Sequence, residues 1–163
     1  MSFVTASIEA VPMPSSRLLI GRRSLPNACY TLTSTVAGRR RIFTDAPSVE
    51  CVIEALRTSD RERRSRTLAW VVMPDHVHWL MQLREGTLNR CMQAFKSRSA
   101  RAYNLLHDCQ GSAVWQRGFY DHCIRTDESL EKHANYLTEN PVRAGLAATL
   151  DAYPWQWNRW RPR

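Results

Sequence analysis

Two histidines one residue apart, in His76-Val77-His78, carry the most specific chemistry in this chain. On a β-strand they point to the same face about 7 Å apart, close enough for two imidazoles to grip one metal ion. Val77 then points the other way, into apolar packing. The alternative is a pair of histidines on the exposed face of a sheet. A divalent ion wants a third ligand, and a second constellation offers one. Tyr136 and Asn140 stand four residues apart, one turn along one helical face, with Lys132 a further turn back on the same stripe. An exposed polar stripe ending at Pro141 explains that spacing equally well. Taken together, two imidazoles and an amide oxygen would hold Mg²⁺ or Mn²⁺ beside a phosphate, and Tyr136 would supply a hydroxyl nucleophile. The product would be a covalent phosphotyrosine, which conserves the phosphodiester energy and makes rejoining possible.

The charge balance fits a polyanionic partner. Lys and Arg total 23 against 15 Asp and Glu, a net charge of +8. Lys96 and Lys132 are the only lysines, so 21 of those 23 cations are arginines. Arginine binds phosphate bidentately and stacks on flat rings. Nucleic acid is the expected partner. The competing explanation is arginine used as a default surface cation. Arg39-Arg40-Arg41, Arg98 and Arg101, Arg125 and Lys132 are the candidate backbone contacts, and Trp79, Trp115 and the Trp155/Trp157/Trp160 group are candidate stacking platforms. For the arginine run the rival is a solvated turn tip, and for each tryptophan it is core packing.

The elements that must position these residues follow from patterning. The 163 residues, 44% of them hydrophobic, suffice for one domain with its own core. Residues 1–24, with Pro12 and Pro14, read as a poorly ordered lead-in to a single domain over 25–163. No apolar run approaches a membrane span and no signal peptide is evident, so a cytoplasmic protein is expected. Five widely spaced cysteines without a CxxC pair argue for reduced thiols.

Cys29 to Val36 predicts a first strand, and Asp45 the start of a helix through Val49, Val52, Ile53 and Leu56. Thr67 to Met73 and His76 to Leu83 form a hairpin-like pair around Pro74-Asp75. Gly86-Thr87 opens a long helix with Leu88, Cys91, Met92, Phe95, Ala102, Leu105 and Leu106 on its apolar side. Ala113 to Arg125 reads as strand, loop, strand. Thr126 or Asp127 caps a third helix that stops at Pro141. The order β-α-β-β-α-β-α predicts an α+β fold, a ferredoxin-like antiparallel sheet with helices packed mainly on one face.

Four motifs in order resemble one known family. Met73-Pro-Asp-His-Val-His-Trp-Leu80 resembles the HUH motif of tyrosine transposases that act on single-stranded DNA. Trp115-Gln116, Phe119-Tyr120-Asp121-His122 and Arg125 resemble the WQ and YDH signature of one branch. The stretch from Tyr136 through Asn140-Pro141-Val142-Arg143-Ala144-Gly145-Leu146 resembles its tyrosine helix and exit, and Tyr153-Pro154-Trp155 its usual ending. That branch is the REP-associated tyrosine transposases, and the resemblance covers roughly residues 28–157. It implies His76 and His78 as the metal pair, Asn140 in the place of the third ligand, Tyr136 rather than Tyr120 as the nucleophile, and cleavage at hairpin-forming repeats. Two departures stand out. Asp75 occupies a position where the family usually has Asn. The first strand, Tyr30-Thr31-Leu32-Thr33-Ser34, lacks the family's His and Arg, which argues against a DNA-contact role for that strand. The short C-terminus is expected to lack an autoinhibitory tail.

Three functions compete on these residues. The first is a metal-dependent transposase and nuclease that cleaves and rejoins hairpin-forming single-stranded DNA through a 5′-phosphotyrosine, as a monomer or a helix-exchanged homodimer. The second is a non-catalytic module, derived from a transposase, that binds hairpin DNA. The third is a metal hydrolase of small phosphoesters, which leaves the basic charge and the tyrosine helix unexplained.

Overall fold

Period-two patterning in β1 (Cys29–Thr35) separates two faces from the outset: Tyr30, Leu32 and Ser34 are buried, while Thr31, Thr33 and Thr35 alternate with them. In the computed structural model, which describes residues 24–125 and 128–161, this strand is an inner strand of a five-stranded sheet. The predicted lead-in lies almost wholly outside the described residues.

The sheet order is β4-β1-β3-β2-β5, antiparallel throughout. β2 (Ser65–Met73) and β3 (His76–Leu83) form the expected hairpin, with Met73 opposite His76 across Pro74-Asp75. A register shift between Thr67 and Ala69 leaves Leu68 as an extra residue, and Leu68 and Ala69 join the same apolar cluster. β4 is Tyr120–Cys123 and β5 is Gln156–Asn158.

Helices cover the two faces unequally. α1 (Ala46–Arg61) starts where predicted: the Asp45 carboxylate accepts from the Ser48 backbone N–H at 2.9 Å, which holds its pKa down, and proline stands in the first turn. α2 (Leu88–Leu106) is capped by the Thr87 hydroxyl. Both helices pack on the face that carries Tyr30, Leu32, Val77, Trp79, Met81 and Leu83. α3 (Leu130–Thr138) lies on the opposite face, where Ala134 and Leu137 meet Val71, Met73 and Leu80. The fold is therefore the expected α+β sheet, with two long helices on one side and the third on the other.

Local details differ from the patterning. The buried side of α2 continues through Ser99 and Asn104 with Tyr103 half-buried, so Ala102, Leu105 and Leu106 are exposed. A helix turns about 100° per residue, so over the roughly five turns of α2 the buried stripe drifts onto small and polar residues at its C-terminal contacts. Val114 and Trp115 form no strand; Val36 makes one isolated bridge to Trp115. Ser129 caps α3, accepting from Lys132 N–H, while Thr126 and Asp127 lie outside the described residues. Helical turns also continue past Pro141 as α4 (Asn140–Arg143), because proline in a first turn needs no N–H donor. The tryptophan-rich end is structured by β5 and by the Tyr153 hydroxyl, which donates to the Val72 carbonyl at 2.7 Å.

Candidate active site

Strand pairing builds the site from the polar half of the α3-side face. Thr33 stands opposite His78 on β3 and opposite Tyr120 on β4; Thr35 stands opposite His76, and Thr31 opposite His122. The three threonines, His76, His78 and Tyr120 form the floor of a cleft of about 430 Å³ whose wall includes His133, Tyr136, Leu137 and Asn140 from the α3–α4 segment. The loop before β4 contributes Gln116, Arg117 and Gly118, and Arg39 closes one side.

The two histidines converge. Their Nε2 atoms lie 3.1 Å apart, with ring centroids at 4.7 Å. Each ring is held by its other nitrogen: His76 Nδ1 lies 2.6 Å from Asp75 Oδ1, and His78 Nδ1 lies 2.8 Å from Thr33 Oγ1. Partners on Nδ1 orient an imidazole and leave Nε2 to a ligand. Burial, with the charges of His76 and Arg143 added, pushes the His78 pKa down to about 3, so its imidazole is neutral at ordinary pH. Asp75 also faces Arg39 at 3.7 Å, which makes a chain from Arg39 through Asp75 to His76.

Asn140 donates its Nδ2 to the Leu137 carbonyl at 2.8 Å, which leaves Oδ1 as its acceptor atom for a ligand. Tyr136 is 67% exposed, so its hydroxyl is open to a substrate. The Arg143 guanidinium lies 4.0 Å over the Tyr136 ring and donates to the Tyr136 carbonyl at 2.7 Å. His76, His78, Tyr136 and Asn140 thus line one cleft, as their spacing in sequence anticipated.

The other candidates divide. Arg39 lines the cleft, whereas Arg40 donates to the Ala37 and Ala113 carbonyls and Arg41 is exposed. Arg98 grips Glu62 with two nitrogens, at 2.8 and 2.5 Å, which removes it as a free phosphate contact. Arg101, Arg125 and Lys132 are exposed and away from the cleft lining. Trp79 is buried at 1% exposure, with its Nε1 donating to Thr67, and Trp115 packs against Phe43 and Phe95 while donating to Ser99. Trp79 is therefore a core residue, an indole deep in an apolar cluster that needs only one hydrogen-bond partner, whereas Trp115 is part-buried and packs against that core from its edge.

Several contributors escaped sequence reasoning. Thr31, Thr33 and Thr35 line the cleft, although β1 lacks the family's His and Arg. The Thr31 hydroxyl is buried and without a hydrogen-bond partner among the described residues. Lys96 shapes the loop that presents Arg117, its ammonium donating to the Gln116 and Gly118 carbonyls while burial pulls its pKa to about 8. Arg143 sits inside a quoted motif, and its seven-residue distance from Tyr136 is two helical turns, a usable signal. For Thr33 the signal exists only once the β1–β3 register is known.

Comparison with known proteins agrees with this fold. The family model described as "Transposase IS200 like" matches residues 24–140. A REP-associated tyrosine transposase of Escherichia coli K12 is 32% identical over 58% of this chain and 54% of its own. A Haemophilus influenzae protein assigned to the same type is 31% identical over 55% of this chain and 56% of its own. The match thus spans only about half the length of each of these relatives. Among solved structures, a REP-associated tyrosine transposase bound to a REP hairpin superposes with a TM-score of 0.68 at 24% identity, covering 83% of this chain and 79% of that one. A transposase from Deinococcus radiodurans R1 superposes at 0.54 and 21% identity, covering 76% and 95%. At these identities the structural likeness speaks for the fold. Among the described residues no helix is long and apolar enough to cross a membrane.

Proposed function

The chain belongs to the IS200-like transposases, and from that premise we propose that it cleaves and rejoins hairpin-forming single-stranded DNA through a 5′-phosphotyrosine on Tyr136. The observation that carries this reading is the convergence of His76 and His78 Nε2 in the cleft that Tyr136 and Asn140 also line. A basic cleft loop and a solved relative with a bound REP hairpin support hairpin DNA as the substrate.

The donor set fits a divalent cation. With each Nδ1 held by its own partner, the two Nε2 atoms face each other across the gap an ion would fill, and the Asn140 amide is turned so that its oxygen is the available atom. His76, His78 and Asn140 would hold Mg²⁺ or Mn²⁺, which when bound polarises the scissile phosphate. The chain's own groups do the rest. Arg39 and Arg117 are exposed cations at the cleft, placed to pair with backbone phosphates. Tyr136 Oη attacks phosphorus; the new Oη–P bond forms as the bond from phosphorus to the 3′ oxygen breaks. The phenol gives up its proton to solvent and the departing 3′ oxygen takes one. Arg143 above the ring steadies the phenol in the cleft. Rejoining reverses the step, with a 3′ hydroxyl attacking the phosphotyrosine.

Incubation with a labelled hairpin carrying a single-stranded flank, with Mg²⁺ or Mn²⁺, tests this. A covalent protein–DNA adduct that is abolished by EDTA is expected. Cleavage undiminished in excess EDTA would overturn the metal role, and hairpin binding without any adduct would overturn the enzymatic one.

A further inference from the structure

A second cluster of ligating side chains stands at the seam between β4 and α3, distinct from the His76, His78 and Asn140 donor set although its member His133 also lines the cleft. His122 lies on β4, Glu128 just before α3, and His133 on the first turn of α3. His122 Nε2 is 3.2 Å from Glu128 Oε2, and His133 Nε2 is 2.8 Å from the same oxygen. The two imidazoles stack, with ring centroids 5.7 Å apart and planes 28° from parallel. All three ligand atoms lie within 4.8 Å of one another and all three residues are half-buried. The other carboxylate oxygen accepts the Arg125 backbone N–H at 2.9 Å, so Glu128 is fixed from behind. Outer-shell hydrogen bonds of this kind orient ligating carboxylates.

The distances suit a small tetrahedral ion. Ligands about 2.0–2.1 Å from a tetrahedral Zn²⁺ stand about 3.4 Å from one another. Two of the separations here are already 3.2 and 2.8 Å, so a cation entering between the rings needs only small side-chain movements. Imidazole nitrogens with one carboxylate favour Zn²⁺ over Mg²⁺.

We propose that His122, Glu128 and His133 form a second divalent-metal site, of His₂–carboxylate type and suited to Zn²⁺, that fastens the Tyr136 helix to the edge strand of the sheet. Water completes its coordination. His133 precedes Tyr136 by three residues, one helical turn, so an ion at this seam restrains where the tyrosine rests relative to His76 and His78. The site stands on geometry alone; its fastening role rests on the reading of Tyr136 as the nucleophile.

The test loads the full chain with Zn²⁺ without DNA, so failure of the nuclease reading leaves it intact. The His76→Ala/His78→Ala chain, which lacks the cleft pair, should retain one equivalent of Zn²⁺ after dialysis and melt at a higher temperature with Zn²⁺ than without. Adding Glu128→Gln, which preserves shape, should weaken that binding at least 10-fold and abolish the melting shift. Long-range ¹H–¹⁵N spectra of the unsubstituted chain give a readout independent of any variant's folding: Zn²⁺ should shift the Nε2 resonances of His122 and His133. No retained zinc in the His76→Ala/His78→Ala chain, or unshifted His122 and His133 resonances, would overturn the site.

Discussion

The two faces of the sheet are made by the same strands and do different work. On β3, Val77, Trp79, Met81 and Leu83 turn toward α1 and α2, and all are essentially excluded from water. His76 and His78, alternating with them in sequence, turn toward α3 and line the cleft half-buried. β1 repeats the division, with Tyr30 and Leu32 on the first side and Thr31, Thr33 and Thr35 on the second. One face supplies apolar burial, and the other trades part of that burial for hydrogen-bonded imidazoles. The contrast teaches that a strand can separate stability from chemistry by parity alone, provided its register is secure.

Substitutions should therefore split cleanly by parity. Trp79→Ala, on the α1/α2 face, should cost about 3–5 kcal/mol in urea unfolding. His78→Ala, one residue away on the other face, should cost about 1 kcal/mol, chiefly from the lost Thr33 hydrogen bond, while abolishing metal-dependent cleavage. Comparable losses of stability would break the comparison.

Within the cleft face, Asp75→Asn sharpens the role of ring orientation. It removes the charge beside His76 Nδ1 and the ion pair with Arg39 while leaving an acceptor oxygen. Mn²⁺ affinity, read by titration, should fall by about 10-fold, the low end for an outer-shell partner, with the fold unchanged.

Arginines should divide in the same way. Arg39→Ala should weaken hairpin binding and flatten its log–log salt slope by about 0.7–0.9, one phosphate contact. Arg98→Ala, whose guanidinium is committed to Glu62, should leave that slope unchanged. Binding isotherms at several salt concentrations separate the two.

The smallest effect belongs to the ion cluster on the α1/α2 side. Hydrogen bonds from Arg98 and then Arg64 hold the Glu62 carboxyl at about 2, below its ordinary 4.5. A depressed folded pKa gives stability that is present above about 4.5 and lost as pH falls toward 2. Glu62→Gln should make acid unfolding slightly less steep across that window, a modest change because the pair is solvent-screened.

Much of this was legible from residues because the informative patterns are local. HxH parity, the break at Pro74-Asp75, the caps at Asp45 and Thr87, and the four-residue step from Tyr136 to Asn140 all act over one or two turns. What stayed hidden depends on distant partners. β5 is only three residues long and exists because β2 offers an edge. Arg98 is occupied because Glu62, 36 residues earlier, comes beside it. Trp115 packs against the core because α2 places Ser99 beside its indole N–H, 16 residues earlier in the chain. Thr33 becomes a positioning residue only through its pairing with His78.

The most direct test of the central claim is to identify which residue carries the DNA. Tyr120 and Tyr136 line the same cleft and both are exposed, at 46% and 67%. Digestion of the trapped adduct followed by mass spectrometry should find the nucleotide remnant on Tyr136, and Tyr136→Phe should abolish the adduct while hairpin affinity and melting temperature stay unchanged. A remnant on Tyr120, or an adduct that survives Tyr136→Phe and disappears in Tyr120→Phe, would contradict the account.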